Sequence, residues 1–347
     1  MALAENPEMS RRALASDAVL LVASIDTEED NWRPTRDGIR IENIRELPAL
    51  QRFLVGLGLR PTYFADHPVA SEPWSAAILR EIAESGAAEI GAHLHPWNTP
   101  PLDEALLPRN SMLKNLAGEL QGRKLRVLRD ALAAATGRAP TSFRAGRFGL
   151  GPETVSELIG CGFRVDSSVT PWIDWEEFDD GPDFRGAPQG CYRIRAGQDP
   201  RTPAGDGALL ELPLSCGFTR RPFGWRAAAH GALRRSALRR LPLAGLASRL
   251  GIVRRVTLTP EGESVEALLQ LAERLLEQGE RFLQLFWHSP SLVPGLSPFV
   301  TSAADRDRLF ATIDAFVNRA SKLARLVPMT VSEAAAALDP RVHPGAA

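Results

Sequence analysis

The sequence predicts an α/β protein built on a mainly parallel sheet, and three observations carry that reading. Short apolar runs alternate with longer amphipathic helical patterns along the chain. The first run, residues 18–25, is continuously apolar, as a parallel strand covered on both faces requires. Ionisable residues gather where the runs end, on the side of a parallel sheet where ligands bind. Such alternation means βαβ units, in a doubly wound sheet or a closed barrel.

The elements follow in order. After the strand at 18–25, a helical pattern runs over 44–57 and stops at Gly58, and 61–65 reads as a second strand. A helix over 75–85, stopped by Gly86, leads to a short strand at 88–91. Residues 113–135 have the apolar spacing of a long amphipathic helix, ended by Gly137 and Pro140. A strand at 142–144, a helix over 152–159 with Pro152 in its first turn, and a strand at 163–167 come next. Helix 265–278, strand 281–287, helix 304–324 and strand 325–329 complete the alternation. The last helix starts near Thr330, with Glu333 at capping-box spacing. One domain is expected over 18–338, with tails at 1–17 and 339–347.

Composition narrows the function. With 347 residues, 44% hydrophobic and 24% charged, the chain can bury a sizeable core, which excludes disorder as its main state. A balance of 41 Lys and Arg against 42 Asp and Glu argues against whole-surface attraction to nucleic acid, and no such partner is expected. Cys161, Cys191 and Cys216 form neither a CxxC pair nor a disulfide framework, which fits a reducing compartment. No apolar run reaches the roughly 18 residues of a membrane span. The run at 18–25 ends in acids rather than at a signal-peptide cleavage site, so a cytoplasmic location is expected. GxGxxG after the first strand and GxxxxGK[ST] anywhere are absent, which disfavours nucleotide binding.

One stretch breaks the rhythm. Between Leu212 and Pro260 there is no acidic residue, while ten arginines fall between Arg220 and Arg255. The stretch reads as a partly helical insertion at about 218–255. Its arginines either pair with acidic loops such as 175–183 or present a basic amphipathic face to an anionic membrane or a phosphate-bearing substrate.

Chemistry is expected at five strand ends: Asp26-Thr-Glu-Glu-Asp30, Glu89-Ile-Gly-Ala-His-Leu-His-Pro-Trp97, Phe143-Arg-Ala-Gly-Arg147, Asp166-Ser-Ser168 and Phe286-Trp-His-Ser-Pro290. Pro96 pushes His95 into an extended conformation, and residues two apart in an extended segment point to the same side. His93 and His95 can therefore meet one metal ion, with a carboxylate of the first cluster as third ligand and an open position for water. The bland alternative is a pair of loop histidines. For the acids that alternative is a solvated loop, and for His288 it is a satisfied core imidazole.

These five motifs, in this order, resemble the polysaccharide deacetylases of the NodB-homology type (carbohydrate esterase family 4). The resemblance implies a distorted (β/α) barrel of about seven strands. It makes Asp26 the catalytic base, Glu28 the metal carboxylate, His93 and His95 the metal imidazoles, Arg144 the partner of the base and His288 the catalytic acid. The family's usual spacing between its two histidines is four, and here it is two. Asp166 falls on the fourth motif, where it would orient an imidazole or Arg144. Within the family, Asp26-Thr-Glu, Gly91-Ala-His-Leu-His-Pro-Trp97 and His288-Ser-Pro-Ser-Leu-Val-Pro-Gly295 are similar to a WalW-like branch associated with lipopolysaccharide biosynthesis.

The implied activity is hydrolysis of an N-acetyl group on a sugar, with a divalent ion, Zn²⁺ by its ligand set, as cofactor. The implied partner is an N-acetylated saccharide, with lipid-linked and phosphorylated forms among the candidates. Trp97, Arg147, Ser167 and Trp287 are expected to contact it, and a backbone N–H after His288 or near Ser167 to form an oxyanion hole. Two further readings stand beside this one. A cyclic amide or ureide hydrolase on the same barrel would work without metal, and a non-catalytic glycan-binding member would use Trp32, Trp97, Trp172, Trp175 and Trp287 as stacking surfaces. Oligomeric state is not legible.

Overall fold

A computed structural model describes residues 18–235 and 254–342. The tail expected at 1–17 and the middle of the arginine-rich insertion, 236–253, lie outside them. The fold is a curled half-barrel of mainly parallel strands. Its path runs β10 (Phe282–His288), β1 (Ala18–Thr27), β2 (Thr62–Ala65), β3 (Glu89–Leu94), β4 (Ser142–Ala145), β5 (Val165–Asp166), β7 (Leu209–Glu211) and β6 (Tyr192–Ile194). β11 (Arg325–Met329) makes a ninth strand. All pairs are parallel except β6 with β7.

β1 is buried at all ten positions because it is enclosed on both edges. β10 runs along one edge, while on the other β11 pairs with its first half, from Ala18 to Val22, and β2 with its second, from Ser24 to Thr27. Helices Leu47–Gly56, Pro73–Glu84, Gly118–Thr136, Pro152–Gly160, Val265–Glu277 and Ala303–Ala320 cross between strands and bury their apolar stripes against the sheet. The capping box at Thr330 forms, with Thr330 N–H donating to Glu333 Oε2 at 3.0 Å, and the helix Val331–Ala337 starts behind it.

Local chemistry moves some boundaries. The helix read from residue 113 begins at Gly118, behind two short 3₁₀ turns. β3 continues to Leu94, so His93 stands on the strand rather than in the loop after it. Four strands went unread: β6, β7, and the antiparallel ribbon of β8 (Cys216–Phe218) and β9 (Arg255–Thr257). At three residues each they are too short for an alternation to register. The ribbon pairs Phe218 with Arg255 and so clasps the two ends of the insertion, which begins with helix Phe223–Arg235. At the other terminus, Asp339 heads the stretch read as a tail but is buried, accepting from Arg193 Nε at 2.8 Å. Among the described residues no helix is long and apolar enough to cross a membrane.

Candidate active site

Register sets the first pair. In the β1–β10 ladder Asp26 lies beside His288, and His288 Nε2 is 3.9 Å from Asp26 Oδ2. Curvature sets the second. Strands three places apart in a flat sheet stand about 14 Å from each other, yet Arg144 of β4 reaches Asp26 of β1 with Nη1 2.7 Å from Oδ1. The sheet therefore curls until the two side chains meet inside. A polar layer holds Arg144 there: its Nε donates to the Ser167 carbonyl at 2.8 Å, and Nη2 donates to Ser24 Oγ at 2.9 Å and Ser167 Oγ at 3.1 Å. Gln284 of β10 donates to the same two hydroxyls.

His93, His95 and Glu28 form a triangle. The two Nε2 atoms are 3.1 Å apart, and Glu28 Oε2 is 3.4 Å from that of His93 and 3.2 Å from that of His95. One ion about 2.0–2.2 Å from each donor would set tetrahedral ligands about 3.3 Å apart. The three residues thus fit a metal ion, and they are the group of this kind among the described residues. The two-residue spacing is no obstacle, since extended backbone sends both rings to one side. His93 Nδ1 lies 3.1 Å from the Arg144 carbonyl oxygen, a bond that orients the ring with Nε2 turned into the triangle. Gly146 makes room for the second ring: a Cβ built on it would lie 2.1 Å from His95 Cδ2. His95 also stacks on Trp97 with ring centroids 4.2 Å apart.

The three acids after Asp26 have separate tasks. Asp30 Oδ1 and Oδ2 accept the backbone N–H groups of Asn43 and Glu42, both at 3.0 Å. Glu29 Oε1 accepts Trp97 Nε1 at 2.5 Å, and the Glu29 N–H donates to Asp66 Oδ2 at 3.1 Å. Burial, and then the charge of Asp66, push the Glu29 carboxyl up to about 8. Glu28 alone faces the imidazoles. Burial works against its ionised form, but hydrogen bonds from His93 and His95 outweigh that and hold it well below the ordinary carboxylate range.

Asp26 and His288 are driven to opposite protonation states. Burial disfavours the Asp26 carboxylate, but Arg144, then His93 and His288, overcome it and lower its pKa. Burial disfavours the His288 imidazolium too, but Glu261 foremost, then Glu28 and Asp26, push it up to about 10. Glu261 is the functional residue that sequence reasoning missed. Its Oε2 lies 2.8 Å from His288 Nδ1, and its Oε1 accepts the His288 N–H at 3.2 Å and the Ser291 hydroxyl. The one sequence signal for it is that it is the first acid after the acid-free stretch.

Four expectations are corrected. Asp166 orients neither His288 nor Arg144: its carboxylate accepts Ser168 N–H at 3.0 Å and Oγ at 2.8 Å, and it faces Glu211 across the β5–β7 ladder. Burial, then Asp166, raise Glu211 far above the usual range. Ser167 is fully buried under Arg144, and Trp287 is fully buried in the core because it alternates with cleft-facing His288. Neither Ser167 nor Trp287 lines the cleft. The N–H groups near Ser167 are not free to form an oxyanion hole, since those of Ser167, Ser168 and Val169 donate to the Phe143 carbonyl, Asp166 and Glu211.

The cleft above the triangle measures about 710 Å³ and is lined by Asp26, Glu28, His93, His95 and His288 together with Trp32, Trp97 and Arg147. Arg147 pairs with Asp179 at 2.6 Å and, like Phe148 after it, has a left-handed backbone, with φ values of 53° and 58°. Two such residues in succession mark a strained turn at the mouth. Trp32 sets its edge against His288, with ring centroids 5.1 Å apart, whereas Trp172 and Trp175 pack on the core. Below the cleft, fully buried Lys124 donates Nζ to the carbonyls of Pro96, Thr99 and Pro101 at 2.7–2.8 Å and pairs with Glu104. It bolts down the loop that carries His95 and Trp97.

No family model and no curated protein matches this chain. Among solved structures it is similar to a Parabacteroides distasonis protein named as a glycoside hydrolase/deacetylase. They share 13% identity over 92% of this chain and 71% of that one, at a TM-score of 0.58. It is also similar to a Mycobacterium smegmatis protein that carries the name polysaccharide deacetylase, at 16% identity over 93% and 91% of the two chains and a TM-score of 0.51. At these identities the likeness establishes the fold: the chain has the distorted (β/α) barrel of these proteins.

Proposed function

We propose that the protein is a metal-dependent hydrolase that removes the acetyl group from an N-acetylated sugar. The observation that carries this reading is the convergence of Asp26, paired with Arg144, and His288, paired with Glu261, on the Glu28–His93–His95 triangle in one cleft. The names of the two structural neighbours support it.

Two imidazoles and one carboxylate are a donor set suited to Zn²⁺, and Glu28, His93 and His95 would hold it. When bound, such an ion supplies Lewis acidity, polarising the acetyl carbonyl and making water more acidic. Asp26, kept ionised by Arg144, takes the proton from the water that attacks the carbonyl carbon. A C–O bond forms and the C–N bond breaks. His288 gives its proton to the departing amine, which is a poor leaving group without it, and Glu261 supports the imidazolium that makes this possible. The products are acetate and the free amino sugar. The resemblance of residues 91–97 and 288–295 to the lipopolysaccharide-associated branch favours a precursor of a cell-surface glycan as substrate.

The test is acetate release from N-acetylated sugars by wild type, metal-stripped protein, Asp26→Asn and His288→Ala. Release by wild type alone supports the proposal, and equal release by all four would sink it. Undiminished release by metal-stripped protein alone would favour the metal-free amide hydrolase.

A further inference from the structure

The cleft has two chemically different ends. Near the triangle its walls are aromatic and polar, with Trp32, Trp97 and Phe148 beside the ionisable groups. Outward it is closed by Leu106, Leu107 and Pro108. The leucines are about half exposed, at 48% and 52%, which is costly for side chains that could have been turned inward.

Their exposure is not that of a loose loop. The preceding residues are anchored from beneath by buried Lys124 through the Pro96, Thr99 and Pro101 carbonyls, and Arg36 Nη2 donates to the Glu104 carbonyl at 2.8 Å. The Leu107 N–H donates to the Ala105 carbonyl at 2.8 Å, and Asn110 Nδ2 to the same oxygen at 3.0 Å. The backbone is thus fixed with both side chains outward. Phe299, 42% exposed, packs edge-on to Trp32 with centroids 5.5 Å apart.

Because Leu106 and Leu107 line the same cleft as Asp26 and His288, whatever covers them enters with the reacting group. Aromatic faces suit sugar rings, whereas branched aliphatic side chains offer nothing to hydroxyls and much to hydrocarbon. We infer that the substrate is amphiphilic: an N-acetylated sugar bearing an apolar aglycone, with the sugar beside Trp32 and Trp97 and the aglycone on the Leu106–Leu107–Pro108 lip. This inference rests on the deacetylase reading for the identity of the sugar group and adds the chemistry of what is attached to it.

Equilibrium binding separates the two claims because it needs no turnover. Octyl and methyl β-glycosides of N-acetylglucosamine are titrated calorimetrically into metal-stripped protein, the octyl compound below its micelle concentration. The octyl glycoside is expected to bind at least ~10-fold more tightly, since each buried methylene adds about 0.8 kcal/mol before ordering costs. In Leu106→Ser/Leu107→Ser that preference disappears while methyl glycoside binding and the melting temperature stay unchanged. Trp32→Ala weakens both glycosides alike. Equal binding of the two glycosides by wild type overturns the inference, as does an octyl preference that survives the double substitution. Leucine-dependent sedimentation with phosphatidylglycerol vesicles, with no octyl preference, overturns it in favour of a membrane surface. If octyl preference holds but no acetate is ever released from either compound, the hydrolytic reading has failed and the apolar subsite has not.

Discussion

Asp26 and His288 lie side by side on paired strands, and each packs against a residue of opposite charge, yet the outcomes are opposite. Arg144 donates to Asp26 and favours its ionised form, which has no proton to give. Glu261 accepts from His288 and favours the imidazolium, which has one. The pair becomes a base and an acid at one pH because partners from outside the two strands, Arg144 and Glu261, decide the sign of each shift. The same logic separates Glu28 from Glu29: one faces imidazoles and ionises readily, while its neighbour faces Asp66 and does not.

The comparison can be broken at each partner. Asp26→Asn removes the base and should lower acetate release roughly 100- to 10,000-fold. Because it also strands a buried guanidinium, urea unfolding should show a loss of about 3–5 kcal/mol. Undiminished release with the wild-type pH profile in that variant would show that Asp26 is not the base. Gly146→Ala forces a methyl group into the His95 ring. It should weaken zinc affinity, read by chelator competition, by about 10- to 100-fold, the scale of other groups that hold ligands in place.

Glu261→Gln has the smallest effect and the most informative pH dependence. In the metal-stripped protein the His288 pKa rises from an unfolded 6.5 to about 10. Protonated His288 therefore contributes stability that is fully present below pH 6.5 and lost as the pH climbs through about 10. Urea melts across that window should show the decline in wild type. In Glu261→Gln they should show a curve lower by about 1.5–3 kcal/mol at neutral pH and flatter. An unchanged slope would mean that another group titrates there.

What the sequence revealed and what it hid divide along chain separation. Asp26 was readable because its strand is an unbroken apolar run that ends on it, and the histidine pair because Pro96 fixes the backbone just after it. Glu261 was not, because it meets His288 from 27 positions upstream through a turn with no periodic signal. Lys124 was hidden for another reason: in an amphipathic helix a lysine reads as solvent-facing, and only the loop folded over it satisfies its ammonium group. Trp287 could have been placed correctly, since a strand that turns His288 to the cleft must turn its neighbour away. Asp166 misled because β5 is two residues long, and its acid belongs to the ladder with Glu211 rather than to the cleft.

Metal placement tests the account most directly. Crystals grown with Zn²⁺ and measured on both sides of its absorption edge should give an anomalous peak about 2.0–2.2 Å from Glu28 Oε2 and from the Nε2 atoms of His93 and His95. The peak should vanish in Glu28→Gln. A peak at Glu29 and Asp66 instead, or none within reach of the two imidazoles, would contradict it.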